Sequence, residues 1–440
     1  MRRTIRYLAI VLFLGSMIAA PRTMRYGAGQ TAVDRLSAQL KDRDPKVRER
    51  AAKLLGEQGD PTGVPALAEA VTDLDEDVRF AAVNSLGEIR SEAAIPALVS
   101  GLADPAKRVR ERAVDGLVAL YVVLPEGGSA FNLVRRVTDF FSNPVEDLAV
   151  NPWIQVDERA AQGLKSALTD RERDVRLRAA RALGILRARE VAPELGTAMM
   201  VGDRRMRAEC LQAFAKMRDP ANGETIAKLL RDTDDVTRAE ASRTLGLIGA
   251  RNLLPELRRM YEDDPGKDVR RAAFEAMSLM PEPGLAGLFE SKLAGEDRRL
   301  REYAADGLAR LPQASSAQLL RTRFSAEKDR RVTLALAFAL VARQEMPYLQ
   351  TLMESLDSPF YRDHGIAYLV ELGHDSRLLP GYYPFLRNEK PDIRRYLCLV
   401  LERVGNPEAM EQLKPTMSDP VDEVAVAATR AYRALGQVKK

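Results

Sequence analysis

Arginine returns at a near-constant interval along this chain, at Arg48, Arg79 and Arg110, then at Arg176, Arg207, Arg238, Arg270 and Arg301, and again at Arg362 and Arg394. The first three stand 31 residues apart, and Ala-rich apolar runs follow this arginine in unit after unit. Self-similarity at that period restricts the chain to a repeat array, because a unit of this size is one supersecondary element whose apolar face is buried only against its neighbours.

Within a unit the pattern predicts two antiparallel helices. The first begins near Asp77-Val78-Arg79, continues through Phe80, Ala81, Ala82, Val83 and Leu86, and breaks around Gly87 to Ser91, with the three-and-four apolar spacing of an amphipathic helix. The second follows at Ala94-Ile95-Pro96-Ala97-Leu98 and stops at Asp104-Pro105. Proline in the first turn is tolerated because that N–H has no intrahelical partner, and Pro beyond the end supplies a stop. The same grammar recurs at Val64-Pro65, Ala192-Pro193 and Leu254-Pro255.

The runs Asp77-Val78-Arg79 to Leu86-Gly87, Asp174-Val175-Arg176 to Leu183-Gly184, and Asp268-Val269-Arg270-Arg271-Ala272-Ala273 resemble HEAT repeats, in the short bacterial form similar to the repeats of phycobilin lyases. The resemblance implies an all-α fold, a right-handed α-α superhelical solenoid of about twelve helix pairs spanning residues 30–440. It also implies that second helices line the concave surface, and that recurrent Asp and Arg form a ladder between adjacent repeats. On that reading Arg48, Asp77, Arg79, Arg110, Asp174, Arg176, Arg207, Arg238, Asp268, Arg270, Arg301 and Arg394 are the ladder. A row of arginines displayed to an anionic ligand is the alternative. Toward the C-terminus the pattern decays, with Thr333 and Val426 where arginine is expected, as befits a last repeat whose outer face meets water.

Residues 1–29 are of another kind. Arg2, Arg3 and Arg6 precede a largely apolar run from Tyr7 to Ala20, with small residues at Gly27, Ala28 and Gly29, which is the layout of a secretory signal peptide. At about 1.5 Å per residue that run is shorter than a bilayer core, so a cleaved leader is expected, and a tether in the inner membrane by an uncleaved leader is the alternative. Export places the protein in the periplasm or outside the cell. The leader carries five arginines and no acid, so its removal leaves 62 basic residues of the 67 against 63 acidic ones. A net-basic footprint for nucleic acid is then absent, and the membrane is contacted only through an uncleaved leader.

Two stretches depart from the repeat. Arg110 and Arg176 are separated by 66 residues, with no signature between them, and a non-repeat insert at about 121–155 occupies the gap. It holds Phe131, Phe140, Phe141 and Trp153, large rings suited to anchor an interface; a diverged helix pair whose aromatics fill the core is the other reading of the same residues. The second stretch is Phe338 to Tyr396, with nine of the 25 aromatic residues. There Tyr382, Tyr383 and Phe385 are candidates to line a binding groove, or to fill the core of loosely matching repeats.

No catalytic constellation emerges. His364 and His374 are the only histidines and lack ligand-type spacing to Cys or acids, so neither a metal nor any other cofactor is expected. The residues support an exported scaffold that binds another protein, of unspecified identity, through its concave face or its insert. A lyase-like enzyme or enzyme-activating subunit, with a small ligand in an apolar groove, is the alternative that the aromatic cluster motivates.

Overall fold

A computed structural model describes residues 32–122, 155–311 and 316–436. The expected leader at 1–29 lies outside them. Two compact units divide the chain, residues 1–217 and 218–440. In the first, long helices α1 (Pro45–Gln58), α2 (Glu76–Ile89), α3 (Lys107–Ala119), α4 (Arg173–Leu186) and α5 (Arg204–Met217) alternate with short ones at Val64–Ala70, Ile95–Gly101, Glu158–Ala167 and Ala192–Val201. In the second, the long helices are α6 (Asp235–Ile248), α7 (Lys267–Leu279), α8 (Arg298–Ala309), α9 (Arg330–Val341), α10 (Arg362–Gly373), α11 (Pro391–Val404) and α12 (Asp422–Gly436). Short helices or 3-10 turns lie between them, and no strand occurs among the described residues. The fold is all-α, a repeat of helix pairs.

Local chemistry sets the helix ends. The side chains of Asp44, Asp75, Asp297 and Asp329 each accept a backbone N–H from the first turn of the long helix they precede, satisfying donors that have no partner inside the helix. Pro65, Pro96, Pro193 and Pro255 stand in the first turn of the short helices. One glycine position is dictated by packing: a Cβ at Gly184 would lie 2.5 Å from Ala213 Cα, and one at Gly246 would lie 2.6 Å from Ala276 Cα. Only glycine lets successive long helices approach so closely.

Within each unit the long helices pack directly on one another, α1 to α5 and α6 to α9, whereas successive short helices make few direct contacts. Leu55, Leu86, Leu117 and Leu183, one from each of α1 to α4, are fully buried along this seam. Each such side chain contributes about 1.5–3 kcal/mol by leaving water. The Ala-rich, arginine-bearing helices present small residues to one another, and small residues permit the close approach.

α3 packs directly against α4, although 66 residues separate their arginines. The short helix Glu158–Ala167 occupies the second-helix position of the same repeat and packs on both α4 and Ile95–Gly101. The long interval is therefore one repeat, opened between its two helices, and no second pair intervenes in the stack of long helices.

Candidate functional site

Six arginines make the same contact. In Arg48, Arg79, Arg110, Arg238, Arg301 and Arg394 the Nε–Nη2 edge grips a carboxylate bidentately, on Asp73, Asp104, Asp170, Asp264, Glu327 and Asp419 respectively, with Nε–O distances of 2.7–2.9 Å. Nη1 of each turns back to two carbonyls of its own linker, as from Arg79 to Asp73 O at 2.9 Å and Leu74 O at 3.2 Å. The acids in turn accept the backbone N–H two residues on, for example Asp73 from Asp75 at 2.9 Å and Asp264 from Gly266 at 2.8 Å. In these six linkers one residue thus both closes the turn and receives the arginine of the preceding repeat. Burial pushes the carboxyls of Asp73, Asp170, Asp264 and Glu327 up, but the hydrogen bonds from arginine and backbone outweigh it and hold them below the usual range. For Asp419 the bond from Arg394 is the largest effect.

The aspartates expected in the ladder are elsewhere. Asp77 faces outward, 3.2 Å from Lys46 Nζ and 2.6 Å from Arg108 Nη2; Asp174 pairs with Lys107, and Asp268 lies 3.0 Å from Arg271 Nη1. They sit on the first turn of their helices, where the side chain points away from the linker that carries the rung. Arg207 occupies the equivalent place on α5. Arg176 and Arg270 hold their own linkers, through Asp170 O at 2.7 Å and Asp264 O at 2.6 Å, and grip no carboxylate among the described residues. Arg362 is a variant rung, bonded to Asp392 at 2.9 Å and to the Tyr396 hydroxyl at 3.1 Å, with its guanidinium 4.0 Å from the ring centroid.

The insert springs from the opposite edge, where long helices turn into short ones. Tyr121 is buried, and its hydroxyl accepts the Asp157 N–H at 3.0 Å, tying the two ends of the opened repeat together. Arg90, at the end of α2, donates to Ala119 O at 3.0 Å and also to Val122 O. The stem is therefore fixed from within the repeat and from its neighbour. Phe131, Phe140, Phe141 and Trp153 lie outside the described residues.

The long helices also carry acids buried between neighbours. In the first unit Asp115 on α3 is 3% exposed and receives Arg178 Nη1 of α4 at 3.0 Å; burial pushes its carboxyl up to about 6 against the pull of Arg178 and Arg112. In the second unit Asp306 on α8 accepts from the Tyr368 hydroxyl, and burial carries it up to about 7 although Arg310 opposes the shift. Its Oδ1 is shielded from solvent without a hydrogen-bond partner. Arg310 grips Glu371 with two bonds of 2.7 Å and lies 5.4 Å from the Phe338 ring, which stacks on Tyr368 at 4.5 Å. Nothing in the sequence distinguished these two acids from the other Asp and Glu residues; only their burial does.

Tyr382 is fully buried, its hydroxyl 2.9 Å from Leu369 O, so it fills the core and offers no ring to a partner. This corrects its place among the candidates, for a ring at the start of a short helix points between helices before it can reach the surface. Tyr383 and Phe385 are half-buried. His364 is half-buried and held low by burial and by Arg331, while His374 is exposed. No group of three or more His, Cys, Asp or Glu with metal-binding geometry occurs among the described residues. Burial pushes Cys398 up to about 12 and Cys210 higher still, so neither is a ready nucleophile.

Comparison with known proteins bears on the repeat and goes no further. A family model described as HEAT repeats matches residues 33–118 and 202–278. No curated protein sequence matches significantly. Among solved structures, the complex of CpcE and CpcF of phycocyanin lyase from Nostoc sp. PCC7120 is 21% identical with a TM-score of 0.35, covering 57% of this chain and 88% of that one. Human deoxyhypusine hydroxylase is 24% identical with a TM-score of 0.28, over 59% of this chain and 99% of that one. An importin beta is 13% identical with a TM-score of 0.41, over 91% and 67% respectively.

Proposed function

We propose that this HEAT-repeat protein is an exported, non-catalytic scaffold that holds a partner protein on the insert at about 121–155 or on the faces of its long helices. The observation that carries the reading is the stem. The helices on either side of residues 123–154 stack directly on their neighbours in the preceding and following repeats. Long segments placed by a rigid frame are disproportionately functional. On the long helices themselves Phe80 is flanked by Arg108 and Arg112 at 5.0 and 5.4 Å, an aromatic–arginine combination of the sort that anchors interfaces. Export rests on Arg2, Arg3 and Arg6 ahead of the apolar run.

The test is an affinity capture from the envelope fraction. The chain lacking its leader is compared with a variant whose residues 123–154 are replaced by a short Gly/Ser linker, and with Phe80→Ala. Loss of the same identified protein from the linker variant, at unchanged helicity, is the expected result. Retention of every captured protein by the folded linker variant would refute a role for the insert, and fractionation of the unprocessed chain with the cytoplasm would refute export.

A further inference from the structure

One rung arginine of the second unit meets no acid among the described residues, and it lines a pocket. Arg270 holds its own linker as other rung arginines do, with Nη1 2.6 Å from Asp264 O and 3.1 Å from Pro265 O. Its Nε–Nη2 edge, which in Arg238 grips Asp264 at 2.9 and 3.1 Å, meets no carboxylate among the described residues. The cause is legible in register. Six residues before the next arginine, where Asp73, Asp104, Asp170 and Asp264 stand in their linkers, this linker has Gly295. Arg301 Nη1 still reaches Gly295 O at 2.9 Å, so the backbone is in place and only the carboxylate is missing.

Neighbouring acids do not take its place. Asp297 is held by Arg271, at 2.9 Å from Nε and 2.8 Å from Nη2, and also accepts the Arg299 N–H at 3.0 Å. Glu262 is paired with Arg258 at 2.9 Å. An open pocket of about 380 Å³ covers the site, lined by these acids, by Lys267, Arg270 and Arg271, and by the apolar surfaces of Tyr261 and Leu300. Asp297 is shared between Arg271 at 2.8 Å and Lys267 at 3.8 Å, two cations on one acid, and the Nε–Nη2 edge of Arg270 adds a third positive group to the pocket.

We propose that this pocket binds a carboxylate, seated bidentately on Nε and Nη2 of Arg270 in the position a rung aspartate would take. The Lys267 ammonium supplies a second positive charge, and Tyr261 and Leu300 receive the apolar part of the ligand. A planar guanidinium matches a carboxylate with two parallel bonds, and here the two carbonyl bonds from Nη1 already fix its orientation, which lowers the ordering cost of binding. The proposal is independent of the scaffold reading, since the pocket and the insert lie in different units.

Two probes are titrated calorimetrically into the leaderless chain at low chloride: succinate, and the capped peptide acetyl-Leu-Glu-Leu-amide. Saturable binding of at least one is expected, weakened about tenfold or more by Arg270→Gln, since a charge-assisted bond is lost. Gly295→Asp is the decisive variant. A Cβ there meets only Lys292 O, at 3.3 Å, so an aspartate fits and supplies the missing carboxylate from within the chain. It should abolish binding while raising the thermal midpoint, whether or not Arg270→Gln folds. Binding of succinate alone identifies a free small carboxylate as the ligand type, and binding of the peptide identifies an acidic side chain. Failure of both probes to saturate, or equal binding by Gly295→Asp and the native chain, overturns the proposal.

Discussion

Removing one rung isolates what the ladder contributes, and Arg110→Ala is the variant in which the contribution is largest. Arg110 is 3% exposed and makes four hydrogen bonds, to Asp170 at 2.7 and 3.0 Å, to Asp104 O at 2.8 Å and to Pro105 O at 3.1 Å. Alanine has equal or better helix propensity, so no loss of intrinsic helicity accompanies the change. What remains is Asp170, its side chain 9% exposed, with only the Glu172 N–H at 2.7 Å as a strong donor. Breaking a buried ion pair from one side costs about 3–5 kcal/mol, because the surviving charge is left without compensation. Arg270→Ala is the matched control: it removes the same two linker bonds but no carboxylate contact, and costs about 1–2 kcal/mol. Urea unfolding followed by circular dichroism at 222 nm compares the two. In a repeat array the Arg110 variant should also unfold less cooperatively, since the rung joins neighbouring units. A cost for Arg110→Ala no greater than that for Arg270→Ala would refute the view that carboxylate pairing between repeats stabilises the stack.

Two further outcomes depend on pH. The rung acids Asp73, Asp170, Asp264, Glu327 and Asp419 have folded-state values depressed below their ordinary 3.8 for Asp and 4.5 for Glu, so their contribution is present above those values and is lost as pH falls through the folded ones. The thermal midpoint should therefore drop steeply below about pH 4, and a midpoint that stays flat down to pH 2.5 would contradict this. Asp306 runs the other way: raised to about 7, it favours folding while protonated, and that contribution fades as pH rises through its folded value. Asp306→Asn, which keeps an acceptor for Tyr368, should raise the midpoint at pH 8.5 and change it little at pH 4; the same shift at both would show that the carboxyl's ionisation is not the cause.

The period and the helix pairs were open to reading because arginine, glycine and the Ala-rich run are fixed by backbone geometry: Gly184 and Gly246 must be glycine where long helices touch. The partner of each arginine was not read correctly. Asp77 and Asp174 adjoin it in sequence, whereas Asp104 and Asp170 lie 25 and 60 residues beyond the arginines they bind, Arg79 and Arg110. The usable signal is the recurrence of Asp six residues before six of the ten arginines, at Asp42, Asp73, Asp104, Asp170, Asp232 and Asp264. Between Arg110 and Arg176 the sequence shows only a missing signature, and the direct packing of α3 on α4 shows that the two arginines stand on neighbouring long helices. Tyr382 was misplaced because aromatic content alone does not tell a groove from a core. The raised values of Asp115 and Asp306 come from burial between helices distant in sequence, which no local pattern encodes.

The central claim is that the insert is mounted on a stack that does not need it. Hydrogen exchange of Lys107–Ala119, Glu158–Ala167 and Arg173–Leu186 is the most direct measurement, comparing the native chain with the variant in which residues 123–154 are replaced by a short Gly/Ser linker. Unchanged protection of all three helices is predicted, because the Tyr121–Asp157 bond and the Arg110–Asp170 rung lie wholly outside the replaced segment. Loss of protection in Glu158–Ala167 or in the first turns of Arg173–Leu186 would show that the segment is part of the core, and would contradict the account.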